Sequence, residues 1–279
     1  MAYTTINKSS EHFDIRTYSA SGGGSVSDVA FQPDFLWFKN RTGAGDHGLM
    51  DAVRGITKIL HSNDNNAEAT SNGSNDFNAF SSNGFNYGAS SALDTGSGTP
   101  CTWLWKANGS GSANTAGTIN STVSANTTAG FSIVKWTGSG ANATVGHGLG
   151  VKPAMIIVKN ATGTGNWRIW NKNLGLPQTL ELNSNAAANT SPGQFNSSAT
   201  VNSTVFSVGG EGDTNESGST IIAYCFSEIQ GYSKMGAYMG NGSTGGSSGI
   251  GTNFVHCGFS PAFVLIKNGQ QVNDWLMFD

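Results

Sequence analysis

Nearly every apolar segment of this chain is short, β-branched or aromatic, and closed off by Gly, Asn, Ser or Pro. Residues 35–39, 131–136, 155–159, 179–182, 203–208, 220–226 and 263–267 each have the length of a strand, and their flanks carry turn residues rather than helix caps. The run MIIVK at 155–159 is apolar on successive residues. Both of its faces therefore need cover, as in a central strand of a packed pair of sheets. The proline ahead of it sits where a strand tolerates a missing N–H. Residues 51–60 have some helical character, but Gly55 and β-branched Val53, Ile56, Thr57 and Ile59 favour a strand there. The pattern predicts an all-β fold of antiparallel β-sandwich or jelly-roll modules with little or no helix.

One of these strands is written three times, as PDFLWFKN (33–40), PAMIIVKN (153–160) and PAFVLIKN (261–268). The neighbouring segments pair in the same order. Residues 13–18 parallel 131–136 and resemble 234–238, and Asp46-His47 corresponds to Asn166-Trp167 and to Asp274-Trp275. Residues 60–71 align without a gap on 180–191, and 102–107 correspond to 223–228. The chain is thus an internal repeat with a period of roughly 110–120 residues, the size of a domain. Residues 1–110 are read as the first sandwich with an N-terminal anchoring segment. A Gly/Ser/Asn/Thr linker follows at 111–128, then a second sandwich at 129–231 and a partial third repeat at 232–279. The third copy stops at Asp279, inside a strand that the others continue. Truncation is the favoured reading; the alternative is that the last segment completes an earlier module or a neighbouring chain by strand addition.

With these blocks in view, the chain resembles a repeat module of marine bacteriophage structural proteins, especially of cyanophages, of the tail-fibre-like or concanavalin A-like lectin type. The residues that carry the resemblance are the opening MAYTTINKSSEHFDIRTYSASGGG, FQPDFLWFKNR at 31–41, DHGLMDAVRGITKILHSN at 46–63, and TIIAYCFSEIQGYSKMGAYMGNGS at 220–243. It implies lectin-like modules in a virion component exposed on the particle surface, a tail fibre first among fibres and appendages. Its partners would be other virion proteins of tail or capsid, with a host surface glycan or protein as receptor and a homotrimer as the assembly. The alternative is a head fibre, decoration or anchoring module without receptor contact, and a glycan depolymerase ranks third.

Composition narrows the chemistry. Only 11% of residues are charged and the formal net charge is −3, so polarity is carried by neutral amides and hydroxyls, and there is no basic footprint for nucleic acid. No apolar run is long enough for a membrane helix, so membrane insertion is not expected. Cys101, Cys225 and Cys257 lack CxxC spacing and are read as free, largely buried thiols.

No enzyme is expected, because acids and bases are scattered. His12, His47, His61, His147 and His256 lack metal-ligand spacing, and Glu68 in one copy faces Ala188 in the other, so no catalytic carboxylate pair recurs. The glycine runs precede neither GK[ST] nor a helix, which removes phosphate cradling. No cofactor is expected. Glu211, Asp213 and Glu216 in a glycine-rich loop form a weak Ca²⁺ candidate, since Asx and Glu oxygens also serve ordinary turns. Tryptophans at matching repeat positions, such as Trp167 and Trp275, are expected in the core. Receptor contacts are expected in loops where the copies differ, at 42–48, 94–99 and 209–219. The candidates there are Asp46, His47, Asp94, Asp213 and Asn215.

Overall fold

The computed structural model describes residues 4–20, 22–70, 77–89, 93, 98–196, 200–241 and 253–279. The first repeat supplies β1 (Phe13–Thr17), β2 (Gly24–Val26), β3 (Phe35–Asn40), β4 (Gly48–Asp51), β5 (Lys58–His61), β6 (Ala69–Thr70), β7 (Phe77–Ser81), β8 (Gly84–Tyr87) and β9 (Pro100–Trp105). The second supplies β10 (Ser112–Asn114), β11 (Ser121–Asn126), β12 (Phe131–Thr137), β13 (Ala143–Gly146), β14 (Met155–Asn160), β15 (Arg168–Asn171), β16 (Gln178–Glu181), β17 (Asn189–Thr190), β18 (Val205–Val208) and β19 (Thr220–Phe226). The third supplies β20 (Val264–Ile266) and β21 (Leu276–Phe278). Helix among the described residues is confined to a 3-10 turn at Ser9–Glu11 and one short α-helix, α1 (Gly212–Asn215).

All strand pairings within the sheets are antiparallel. The first module holds a six-stranded sheet, β1-β9-β3-β4-β5-β6, and a three-stranded sheet, β2-β8-β7. The second holds β10-β11-β12-β19-β14-β15-β16-β17 and the pair β13-β18, and the third holds the pair β20-β21. The thrice-written strand is central in both complete modules: β3 lies between β9 and β4, and β14 between β19 and β15.

The two faces of that strand have different destinations, set by the side-chain period of two. On the outer face, Leu36 and Phe38 pack with Val26, Phe85 and Tyr87 of the first module's small sheet. Ile156 and Val158 pack likewise with Val145, Phe206 and Val208 of the second. These are the β-sandwiches expected from the pattern. On the inner face, Phe35, Trp37, Trp103 and Trp105 join Ile133, Ile157, Trp167 and Tyr224 in one shared core, with Phe263, Trp275 and Met277 of the third module packed against it.

The same contacts recur between successive modules. Trp167 Nε1 donates to the His61 carbonyl at 2.8 Å, and Trp275 Nε1 donates to the Glu181 carbonyl at 2.8 Å. The Gly165 N–H donates to the Asn65 carbonyl and the Asn273 N–H to the Asn185 carbonyl, each at 2.9 Å. The ring also closes. Phe35 stacks on Tyr224 at 4.3 Å and meets Phe131 at 5.8 Å, while Phe263 of the third module meets Phe13 at 5.8 Å and Trp103 at 6.1 Å in the first. Module one packs on two, two on three, and three on one.

This geometry explains why the repeated strand ends in Lys-Asn. Asn40, Asn160 and Asn268 each use Oδ1 to accept N–H groups of the following turn. Lys159 Nζ donates to the carbonyls of Asn160 (2.7 Å), Gly163 (3.2 Å) and Asn65 of the preceding module (3.3 Å). Lys267 makes the matching contacts with Asn268, Gln271 and Asn185.

Two expectations are corrected. Residues 111–128 are not a linker: β10 and β11 belong to the second module's sheet, and β11 pairs with β12 along six residues. Hydroxyls replace apolar mass there, since Ser121 Oγ donates to the Gly146 carbonyl and Ser124 Oγ accepts from the Asn108 N–H, which removed the hydrophobic signal of a strand. Residues 51–60 are not one strand either. The Asp51 carboxylate accepts from Val53 N and Arg54 N, and Gly55 takes a φ of +99°, so a turn separates β4 from β5.

Phe35 lies at the hinge of the first two modules. Phe35→Ala is expected to cost about 3–5 kcal/mol, the range for a buried aromatic, measured by urea unfolding. Lys159 supplies a pH signature. Burial pulls its pKa from 10.5 to about 8, against the opposing pull of Asp213 and Asp64. Below that folded value both states hold the proton and the burial cost is present in full. Between about 8 and 10.5 the unfolded state binds more protons, so stability rises with pH through that window. Denaturant midpoints across the window should climb for the wild type, and this component should vanish in Lys159→Met.

Candidate functional site

The loop before β4 and the turn after β5 lie side by side because Gly48 is in register with His61. Asp46 and His47 precede that position, and Asn63 and Asp64 follow it. The Asn63 side chain clamps the two segments: its Oδ1 accepts from the His47 N–H at 2.8 Å, and its Nδ2 donates to Asp46 Oδ1 at 2.7 Å. His61 Nδ1 is 3.3 Å from Asp64 Oδ2 and 3.8 Å from Asp46 Oδ2. Among the described residues, Asp46, His61 and Asp64 form the one group of three potential metal ligands within 4.8 Å of one another. The Asp64 oxygens are already engaged in a local turn, accepting from the N–H and side-chain amide of Asn66.

His47 is the inward member of this rim. Trp37 Nε1 donates to His47 Nδ1 at 3.3 Å, so in the neutral ring the proton sits on Nε2. Burial pushes the His47 pKa down to about 4, Lys39 adds to the shift, and Asp46 opposes it. A cleft of about 660 Å³ opens beside the ring where the three modules meet, lined among others by Trp37, Asn63, Asn183, Asp274 and Trp275. It offers aromatic surface, amide donors and acceptors, and carboxylate oxygens. That set suits hydrogen bonding to hydroxyl-rich or cationic groups.

The second module repeats the frame with different chemistry. The Trp167 N–H donates to Asn183 Oδ1 at 2.9 Å, and Asn183 Nδ2 donates to Asn166 Oδ1 at 2.9 Å. Asp46, His47, His61 and Asp64 are replaced by Asn166, Trp167, Glu181 and Ser184. A family model matches residues 8–279, taking in both complete modules and the third. The chain belongs to that family, Domain of unknown function (DUF7483). No curated protein and no solved structure matches the chain. The family match spans all three repeats.

Of the loop residues singled out in the sequence, Asp46 and His47 fall on this rim together, and Asp94 lies outside the described residues. Asp213 and Asn215 are corrected: both are internal tethers. Asp213 accepts from Arg168 Nε at 2.7 Å, from Gln194 Nε2 at 3.2 Å and from the Asn166 N–H at 3.1 Å. Asn215 is fully buried, with Oδ1 accepting from Trp136 Nε1 and Ser139 N, and Nδ2 donating to Ala141 O and Gly209 O. The weak Ca²⁺ set Glu211, Asp213 and Glu216 does not converge either. Glu216 accepts from Ser219 Oγ and Asn160 Nδ2, which hold its pKa below the usual carboxylate value. In the sequence His61 is one of five histidines without ligand spacing and Asp64 belongs to an oxygen-rich Asp64-Asn65-Asn66 turn, and only the β4–β5 register brings the two to Asp46. Trp167 is buried in the core as expected.

His47 should therefore stay neutral far below the usual histidine range. Its ring carbon proton, followed by NMR, is expected to titrate near pH 4, and Trp37→Phe should alter that midpoint by removing the donor to Nδ1.

Proposed function

We propose that this chain is a non-enzymatic virion structural protein of a bacteriophage. It is a fibre or surface appendage, in the first instance a tail fibre, that presents its module rim to a host surface glycan or protein. The observation that carries the reading is the Asn clamp repeated at Asn63 and Asn183: one rigid frame holds different side chains in successive modules. A scaffold that fixes loop backbones while loop chemistry varies is what recognition of changing surfaces requires. The resemblance of residues 1–24, 31–41, 46–63 and 220–243 to marine phage modules supplies the virion setting, the tail or capsid partners and the homotrimeric expectation. The alternative, a structural module without receptor contact, is favoured by the self-satisfied hydrogen bonding of Asp46 and Asp64 at the rim.

Immunogold labelling of purified virions is expected to mark the tail, and label on the capsid would overturn the tail-fibre assignment. On a host glycan array the chain should bind, and the doubly substituted Asp46→Ala, His61→Ala protein should lose at least tenfold in affinity, about 1.4 kcal/mol. Binding that survives the double substitution would move recognition away from this rim.

A further inference from the structure

The rim of the first module carries charge that its frame does not need, and the second module shows why. Asp46 Oδ1 accepts from Asn63 Nδ2 at 2.7 Å, and the neutral Asn166 Oδ1 does the same for Asn183 Nδ2 at 2.9 Å. Asp64 Oδ1 accepts from the Asn66 N–H at 3.0 Å, a task that Ser184 Oγ performs for the Ala186 N–H at 3.1 Å. Position 61 serves the module joint through its backbone carbonyl, as position 181 does, each accepting from an indole of the next module. An amide oxygen and a hydroxyl thus hold the same loops. The negative charges of Asp46 and Asp64 and the imidazole of His61 are additions to that frame.

These three additions converge. His61 Nδ1 is 3.3 Å from Asp64 Oδ2 and 3.8 Å from Asp46 Oδ2, and the three atoms lie within 4.8 Å of one another. Among the described residues the ion pairs of Asp46 and Asp64 are with His61 alone. A ring nitrogen carries at most one proton and donates to one carboxylate, so the imidazole cannot serve both acids. A divalent cation among the three atoms satisfies all of them at once. We propose that Asp46 Oδ2, His61 Nδ1 and Asp64 Oδ2 bind one Zn²⁺ ion.

The spacing and the donor types select the ion. Two donors each about 2.0–2.1 Å from a tetrahedral ion stand about 3.3–3.4 Å apart, which is the separation of His61 Nδ1 and Asp64 Oδ2. The Asp46 side chain is 51% exposed, so it can close the wider gap without disturbing the core. An ionised carboxylate has about four acceptor positions, so the hydrogen bonds from Asn63 to Asp46 and from Asn66 to Asp64 orient the two acids and leave lone pairs for the metal. Ca²⁺ and Mg²⁺ take oxygen ligands, whereas Zn²⁺ accepts imidazole nitrogen and carboxylate oxygen together. Three protein ligands leave a fourth position for water or an oxygen of a bound molecule. The inference does not rest on the virion reading, because it concerns what three side chains bind and not what carries the rim.

The test titrates ZnCl₂ into the chelator-treated 279-residue chain by calorimetry, where one Zn²⁺ per chain is expected, with Ca²⁺ binding at least ~10-fold weaker. Asp46→Asn and Asp64→Ser install the residues that the second module uses at these places, so the frame is kept. Each should weaken Zn²⁺ binding by ~10-fold or more, as should His61→Gln, and the Asp46→Asn, Asp64→Ser double variant should reduce it by ~100-fold. Equal Tm values of wild type and variants in the presence of chelator separate loss of the ion from loss of the fold. In NMR, Zn²⁺ should shift the His61 ring signals at one equivalent. The neighbouring His256 and Cys257 in the third module offer the competing pair of donors, and Cys257→Ser is expected to leave the affinity unchanged. Zn²⁺ binding that survives the double variant, that disappears in Cys257→Ser, that is matched by Ca²⁺, or that occurs only between two chains in sedimentation would each overturn the proposal.

Discussion

Among the described residues, the inner face of each complete module's main sheet has no second layer of its own. The small sheets β2-β8-β7 and β13-β18 cover the outer faces, and the inner aromatic faces are buried only against the next module. An apolar face of this size cannot remain in water at a cost of about 25 cal/mol per Å², so the sandwiches are obliged to pack around a common core rather than hang as beads. The rest of the architecture follows from that obligation. The ring fixes which loops meet, and the loops that meet form the rim and the cleft.

The polar contacts at the module joints are placed where that core reaches its edge. Lys159 and Lys267 each bring a cation to the carbonyls of the preceding module, and the Trp167 and Trp275 indoles do the same with a neutral donor. Hydrogen bonds are directional, so these contacts select one rotation of module on module where apolar packing alone would allow several. The joint between the first two modules adds the Asp51–Arg54–Tyr224 network, with both charged side chains almost wholly buried. Such a pair adds more to specificity of docking than to net stability. The second module's Asn171 and Leu174 carry no such pair, so the two joints share a backbone pattern and differ in chemistry.

The same division marks the candidate site. Asp46 and His47 are chemically conspicuous in the sequence, but the contrast between His47 and its counterpart Trp167 acquires meaning only in the ring. Trp167 fills the joint with module one, while His47 borders the cleft beside the third module. Glu211, Asp213 and Glu216 looked alike in sequence, yet Arg168, Asn160 and Ser219 claim two of the three carboxylates.

What the sequence determined by itself was everything carried by local pattern. Strand length, punctuation and the threefold PxxxxxKN segment gave the all-β class, the repeat and the central position of the repeated strand. Those signals are short-range, because alternation and turn chemistry act within a few residues. They failed where hydrogen-bonded serines replaced apolar mass, as at Ser121 and Ser124 in β11, and where one carboxylate and one glycine cut residues 51–60 into two strands. The tertiary structure alone decided that the modules close into a ring and that His61 and Asp64 join Asp46. Each of those facts depends on strand register or on module-to-module packing across more than a hundred residues, and nothing in a local window encodes which of two equally apolar faces will meet which neighbour.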